Sequence, residues 1–149
     1  AAGGIADGRQ IAAAFMLGAK GVQVGTRFLV CDECTIAHEY KEKVLKAKDI
    51  DTVVTGKRLG HPVRSIRNSF TKEYQACEYD RTNCDDEKLE SMGTGKLRLA
   101  AREGDVKNGT VLAGQVAAMV KKEQPAKEII EEMFAQAEET LKGATQWVK

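Results

Sequence analysis

The sequence lacks the features that mark several classes of protein. Its 149 residues carry a formal net charge of +1, so no excess of one sign favours a nucleic acid or an anionic membrane as a partner. No stretch approaches the roughly 18 apolar residues of a membrane span, and no basic and then apolar signal segment opens the chain. These absences predict a cytoplasmic protein that binds neither nucleic acid nor membrane.

Residues that bind metals or transfer protons are also scarce. Only two histidines are present, so few side chains could serve as an acid or a base. Cys31 and Cys34 form a C-x-x-C pair, but Cys77 and Cys84 are too far apart in sequence to supply the second close pair of a structural zinc site. We therefore predict four free thiols and no metal site, with a metal or redox site as the alternative.

The dinucleotide-binding fingerprint G-x-G-x-x-G is absent, and two glycine-bearing strand ends stand in its place. These ends, Gly3-Gly4 and Gly25-Thr26, are separated by one helix. Glycine lets the main chain approach an anion, and a helix N-terminus adds favourable partial charge. The loops after strands 7 and 8 of a (β/α)8 barrel form a phosphate site in this way. The pattern predicts an α/β protein with a phosphate-cofactor site; a parallel sheet with packing glycines and no ligand is the alternative.

The length sets a limit on this fold. A (β/α)8 barrel needs about 250 residues, and Ala1 begins directly at the glycine turn, so the sequence is interpreted as the C-terminal part of a larger protein. We expect residues 1–50 to hold the last elements of the barrel and residues 51–108 a small appended domain. Residues 109–149 are expected to form helices that return to the barrel. Without the remainder of the barrel, the chain alone is expected to be inactive.

Apolar spacing and turn residues predict the individual elements. Asp7 is expected to cap a helix that ends near Gly18, and Thr35 to cap a second helix with solvated lysines. Trp147 is expected to anchor the final helix. The other predicted elements are a short strand over 21–25, a strand over 51–55, helical segments over 69–92, 97–102 and 111–122, and a helix from Pro125 onward.

Four motifs in order, AAGGIADG, GVQVGTRF, GHPVRSIRN and GDVKNGTVLAGQ, resemble those of the flavin-dependent enoyl-acyl-carrier-protein reductases II, within the nitronate monooxygenase (2-nitropropane dioxygenase-like) family. The resemblance covers essentially the whole chain. It implies the C-terminal half of a TIM barrel that binds FMN, with a small helical segment appended. The implied FMN-binding residues are Gly3 and Gly4 after strand 7 and Gln23, Val24, Gly25 and Thr26 at the end of strand 8, with Leu112, Gly114 and Gln115 returning near the flavin.

The resemblance also implies an activity. The parent enzyme would use NADH or NADPH to reduce FMN, and the flavin would then reduce a 2-enoyl thioester linked to acyl carrier protein or coenzyme A, in fatty acid biosynthesis. The family's active-site histidine lies upstream of Ala1, so no catalytic residue is expected in this chain; a homodimer is expected for the full-length protein. His61, where the monooxygenases tend to have arginine, favours the reductase.

Three alternatives stay open at this point. The first is a nitronate monooxygenase, which oxidises alkyl nitronates with dioxygen. The second is an inactive flavin-binding or structural remnant. The third is a relative of the inosine-phosphate dehydrogenases, in which Cys31 would be the catalytic cysteine, although Val30-Cys31-Asp32-Glu33 lacks the glycine-rich setting of such a loop.

Overall fold

The structure is a computed structural model that describes residues 1–147. Short helices dominate it, and the one sheet among the described residues is small. The α-helices are α1 (Gly8–Met16), α2 (His38–Leu45), α3 (Ser69–Tyr79), α4 (Asp86–Gly93), α5 (Lys96–Glu103) and α6 (Ala126–Gly143). The strands are β1 (Thr52–Thr55) and β2 (Val63–Ile66), and 3-10 helices occupy Thr26–Val30, Gln115–Met119 and Ala144–Trp147.

Helices α1 and α6 pack against each other and form the first hydrophobic cluster. Asp7 caps α1 as predicted: its side chain accepts from the Arg9 N–H, and Gln10 completes a capping box. Pro125 precedes α6, also as predicted. The apolar faces of the two helices meet because the spacing of their apolar residues follows the helical repeat. The buried members of this cluster are Ile5, Ile11, Ala12, Cys31, Ile129, Met133 and Ala137.

The sheet corrects the predicted helix over 111–122. β1 and β2 pair antiparallel, with Thr55 opposite Val63, and the segment around Leu112 pairs with β2 on its other side. The Ile66 N–H donates to the Val111 carbonyl at 2.8 Å, and the Ala113 N–H donates to the Arg64 carbonyl at 3.2 Å. The open edge of β2 thus holds this segment extended, because strand pairing supplies the hydrogen bonds that a helix would have supplied. Only Gln115–Met119 is helical, and it is a 3-10 helix.

The second hydrophobic cluster lies between α2, α5 and the sheet. Its buried members are Val30, Tyr40, Val44, Ala47, Ile66, Ala100, Val111, Ala113, Ala117 and Val120. The Tyr40 hydroxyl donates to the Leu112 carbonyl at 2.8 Å, and burial raises the pKa of Tyr40 to about 12. The third cluster joins α3 and α4 through Phe70, Tyr74, Cys84 and Leu89.

Lys41 departs from the predicted solvated face of α2, because only 6% of it is exposed. Its ammonium donates to the Cys31 carbonyl at 2.8 Å and to Glu123 Oε1 at 2.6 Å. Burial, the largest single influence, lowers the pKa of Lys41, but the hydrogen bond and charge of Glu123 outweigh it and leave the pKa above its usual value. The ion pair ties α2 to the segment that leads into α6.

This ion pair predicts a loss of stability in alkali. A folded pKa above the unfolded value of about 10.4 means that the charged lysine contributes its full stability at lower pH and loses it as the pH rises through the folded pKa. We expect the unfolding free energy of the wild type, relative to that of Lys41→Met, to fall above about pH 10. Denaturant unfolding at a series of pH values measures this difference in unfolding free energy. The control is Lys20→Met, which replaces an exposed lysine. A pH-independent difference between wild type and Lys41→Met would contradict the pairing.

The prediction of four free thiols is wrong for two of them. Cys77 on α3 and Cys84 just before α4 form a disulfide, whereas Cys31 and Cys34 are free. The loop between the two helices brings the Cα atoms of Cys77 and Cys84 within 5.4 Å, a distance that suits a disulfide. Their separation in sequence hid this pairing, because it depends on how the chain turns between two helices.

Other local predictions fail where tertiary contacts decide. Ala37, and not Thr35, is the N-cap residue of α2. Trp147, the expected anchor of the final helix, is 82% exposed. The stretch 21–25 makes a single parallel bridge, from Gln23 to Ala2, and forms no longer strand. Within residues 1–147, no helix has the length and apolar character to cross a membrane.

Candidate functional site

The two glycine-bearing strand ends lie side by side. Ala2 and Gln23 form a parallel bridge, and the Gln23 N–H donates to the Ala1 carbonyl at 2.8 Å. Because the paired segments run in the same direction, Gly3-Gly4 and Gly25-Thr26 leave the same edge of the bridge. This is the arrangement expected of neighbouring barrel strands. Gln23 is exposed beside the bridge, whereas Val24 packs against the first hydrophobic cluster.

The glycine backbone at these two strand ends is exposed to solvent and carries N–H groups that could donate hydrogen bonds. Gly3 and Gly4 have φ angles of 88° and 73°, which L-residues with side chains rarely adopt. A Cβ added at Gly3, Gly4 or Gly25 would meet no atom of the described chain within 4 Å. Among residues 1–147, no protein acceptor is found for the N–H groups of Gly4 and Gly25, whereas the Gly3 N–H faces the Gln23 carbonyl across the parallel bridge. Exposed amides without protein acceptors are the groups that hold phosphate oxygens.

The N-terminus of α1 does not contribute as the sequence suggested. The N–H groups of Arg9 and Gln10 donate to the Asp7 carboxylate, and the Gly8 N–H donates to Gln136 Oε1 at 2.8 Å. The carboxylate also opposes the partial positive charge of the helix end. Any anion at this edge would therefore be held by the loop amides, and not by the α1 terminus.

Gly25 and Thr26 line a cavity of about 390 Å³. The Thr26 hydroxyl accepts from the Gly114 N–H at 2.9 Å, which leaves its own proton available to a ligand. Leu112 and Gly114, which the resemblance placed near the flavin, line the same cavity. Four of the seven residues predicted for strand 8 and the returning segment thus meet around one space, whereas Gln23, Val24 and Gln115 do not line it.

Arg64 is a residue of this cavity that the sequence reasoning missed. It lies on β2, and its guanidinium donates to the Thr52 hydroxyl at 3.0 Å. No carboxylate of the described residues forms a salt bridge with it. The sequence signal lies in the motif GHPVRSIRN, where Arg64 follows His61 by three residues.

Gly3 and Gly4 open into a separate cavity of about 400 Å³, whose wall is the Ala13, Ala14 and Leu17 side of α1. The residues lining this second cavity carry no cationic side chain. The structure therefore brings the two glycine pairs to one edge but does not merge their cavities. The cationic side of the candidate site is the side of Gly25.

Neither histidine belongs to either cavity. His38 faces solvent on α2 beside Glu42, and His61 lies in the loop before β2. The Cys31 thiol is buried in the first hydrophobic cluster, which argues against a catalytic cysteine after Gly25-Thr26. Among the residues that the structure describes, no group of three or more histidine, cysteine or acidic side chains could hold a metal ion.

The Gly25 amide, the Thr26 hydroxyl and Arg64 share one cavity and suit the phosphate end of a cofactor. Gly3 and Gly4 lie at the same edge. The fold is thus that of a partial (β/α)8 barrel, with a candidate phosphate site at this edge. The model of the nitronate monooxygenase family matches residues 1–136, and the chain belongs to that family. The family and the structures similar to it are flavin oxidoreductases, which fits a flavin phosphate at this edge.

Individual relatives support the same placement. The chain superposes on the structure of FabK from Thermotoga maritima with a TM-score of 0.93 and 43% identity, covering 99% of this chain and 46% of that one. It is similar to a nitroalkane oxidase from Streptomyces ansochromogenes, with a TM-score of 0.76 and 30% identity over 95% of this chain and 40% of that one.

Among curated sequences, a probable nitronate monooxygenase of Staphylococcus saprophyticus is 38% identical over 142 residues, which are 95% of this chain and 39% of that protein. The chain thus spans less than half the length of these relatives.

Proposed function

We propose that the full-length protein containing this chain is an FMN-dependent enoyl-acyl-carrier-protein reductase that uses NADH or NADPH. The observation that carries the proposal is the similarity to FabK, at 43% identity across 99% of the chain, together with the cationic cavity at Gly25. The substrate would be a 2-enoyl thioester of acyl carrier protein or coenzyme A, which places the enzyme in fatty acid biosynthesis.

The chain's own role is to hold and orient the flavin. The loop amides of Gly4 and Gly25 would donate to the phosphate, Thr26 would donate its hydroxyl proton, and Arg64 would offset the negative charge. The flavin supplies hydride chemistry when bound. No residue of the chain is assigned to proton transfer, since neither histidine lines the two cavities.

A second candidate is a nitronate monooxygenase. The family model and the curated staphylococcal relatives favour it. Both candidates need the same phosphate anchor, so the site described above does not distinguish them.

Two assays on the purified full-length protein decide between these functions. Under anaerobic conditions, we expect crotonyl thioester to drive oxidation of NADH or NADPH. Uptake of dioxygen with an alkyl nitronate, without thioester-dependent oxidation, would instead assign the monooxygenase. Residues 1–149 expressed alone serve as a control and should turn over neither substrate; activity of this short chain would mean that the catalytic residues lie within it.

A further inference from the structure

A third, largely apolar cavity of about 230 Å³ lies between the sheet and helices α3 to α5. Its floor is one face of the sheet: Thr55 and Val63 are directly opposite each other on β1 and β2, and Leu112 continues this face on the paired segment. Its roof consists of Phe70 and Tyr74 on α3. The strands and helices that form these walls are regular, so the space is built into the fold.

The walls of this cavity select an uncharged occupant. No carboxylate, lysine or arginine lines it, and its polar lining consists of Thr55, Thr110, His61 and the Tyr74 hydroxyl. Burial, the main influence, raises the pKa of Tyr74 so that this hydroxyl stays neutral. Val63 and Leu97 are 41% and 46% exposed although both are apolar, and both line this space. Charged groups lose too much hydration in such surroundings, whereas apolar groups gain by leaving water.

The size of the cavity limits the occupant further. A cavity of about 150 Å³ lined by apolar side chains binds benzene, so this cavity has room for a short hydrocarbon chain. Val63 and Leu112 also line the cavity of Gly25 and Thr26. The two cavities are therefore neighbours that share two apolar wall residues.

We propose that this cavity binds the distal part of the acyl chain of the substrate and makes the enzyme prefer medium-length over short enoyl thioesters. The inference rests on the proposed reductase function. Each methylene that enters the cavity strengthens binding about 4-fold, so the four methylenes that separate an octenoyl from a crotonyl chain favour the longer substrate.

A larger residue at Gly93, at the end of α4, is expected to fill the cavity without disturbing its walls. It lines the space, its φ angle is not positive, and a Cβ added there would lie 3.6 Å from Tyr74 Cε2, an ordinary contact. In Gly93→Leu the added side chain would occupy the space of the acyl chain. In Gly93→Ala only a methyl group is added, so this variant is the matched control.

The test compares kcat/KM for 2-octenoyl and crotonyl thioesters in the flavin-loaded full-length protein. We expect Gly93→Leu to lower the octenoyl-to-crotonyl ratio about 10-fold or more, and Gly93→Ala to change it less than about 2-fold. Thermal unfolding of each variant checks that the fold is retained. An unchanged ratio in folded Gly93→Leu would overturn the inference.

A binding measurement separates this inference from the proposed function. Calorimetry with octanoyl and butyryl pantetheine, which cannot be reduced, does not depend on turnover. Tighter binding of the octanoyl compound by the wild type, weakened about 10-fold by Gly93→Leu, would support the cavity even if no enoyl thioester were reduced. Equal affinities for the two compounds in the wild type would overturn it, whatever the reductase assay shows.

Discussion

Replacing Gly25 by valine in the full-length protein is expected to yield protein without bound flavin. The φ angle of Gly25 is −104°, which valine can adopt, and a Cβ there meets no atom within 4 Å, so the fold should tolerate the change. The valine side chain would instead occupy the space that the phosphate oxygens need. Loss of two charge-assisted hydrogen bonds at about 1.5–3 kcal/mol each predicts that the protein binds flavin at least about 100-fold more weakly.

Gly21→Val is the matched control for this experiment. Gly21 is exposed, precedes the bridge at Gln23, and also has open space around an added Cβ, but it lies before the strand end. We expect this variant to retain stoichiometric flavin, measured from the visible absorbance of the purified protein and by titration of the apoprotein with FMN. Full flavin content in Gly25→Val would show that the phosphate lies elsewhere.

Replacing Gly8 by alanine is expected to lower the stability by about 3 kcal/mol or more, at the upper end for an overpacked core. An added Cβ would lie 2.5 Å from the Ala137 nitrogen and 2.7 Å from Gln136 Cβ, so it meets the backbone of α6, which cannot rotate away as a side chain does. The displaced helix would also lose the hydrogen bond from the Gly8 N–H to Gln136 Oε1. Denaturant unfolding of the full-length protein measures the change.

Gly143→Ala provides the comparison on α6 itself. The nearest atom to a Cβ at Gly143 is Gln146 Nε2 at 3.9 Å, so alanine fits there and should raise the stability slightly, by less than about 1 kcal/mol. If Gly8→Ala were as stable as the wild type, the close approach of α1 to α6 would be wrong. If both variants lost the same amount of stability, the loss in Gly8→Ala could not be assigned to the contact between Gly8 and α6.

Several features were predictable because they depend on neighbours in sequence. Asp7 and Gln10 are three residues apart and cap α1 within one turn, and the apolar residues of α6 recur with the helical period. The period alone did not set the depth of burial: Ile129 and Met133 are buried, whereas Ile130 and Phe134 are 48% and 49% exposed. The roles predicted for Gly3, Gly4, Gln23, Val24, Gly25 and Thr26 stay predictions.

By itself, then, the sequence determined the capped helices, the glycine-bearing strand ends and the resemblance to a flavin oxidoreductase family. The tertiary structure alone decided that the segment at Leu112 pairs with β2, that Lys41 is buried against Glu123, and that Arg64 stands beside Gly25. The physical reason is the range of the interactions. Caps and helical faces form between residues a few positions apart, whereas strand pairing, buried ion pairs and cavity walls join residues that only folding brings together.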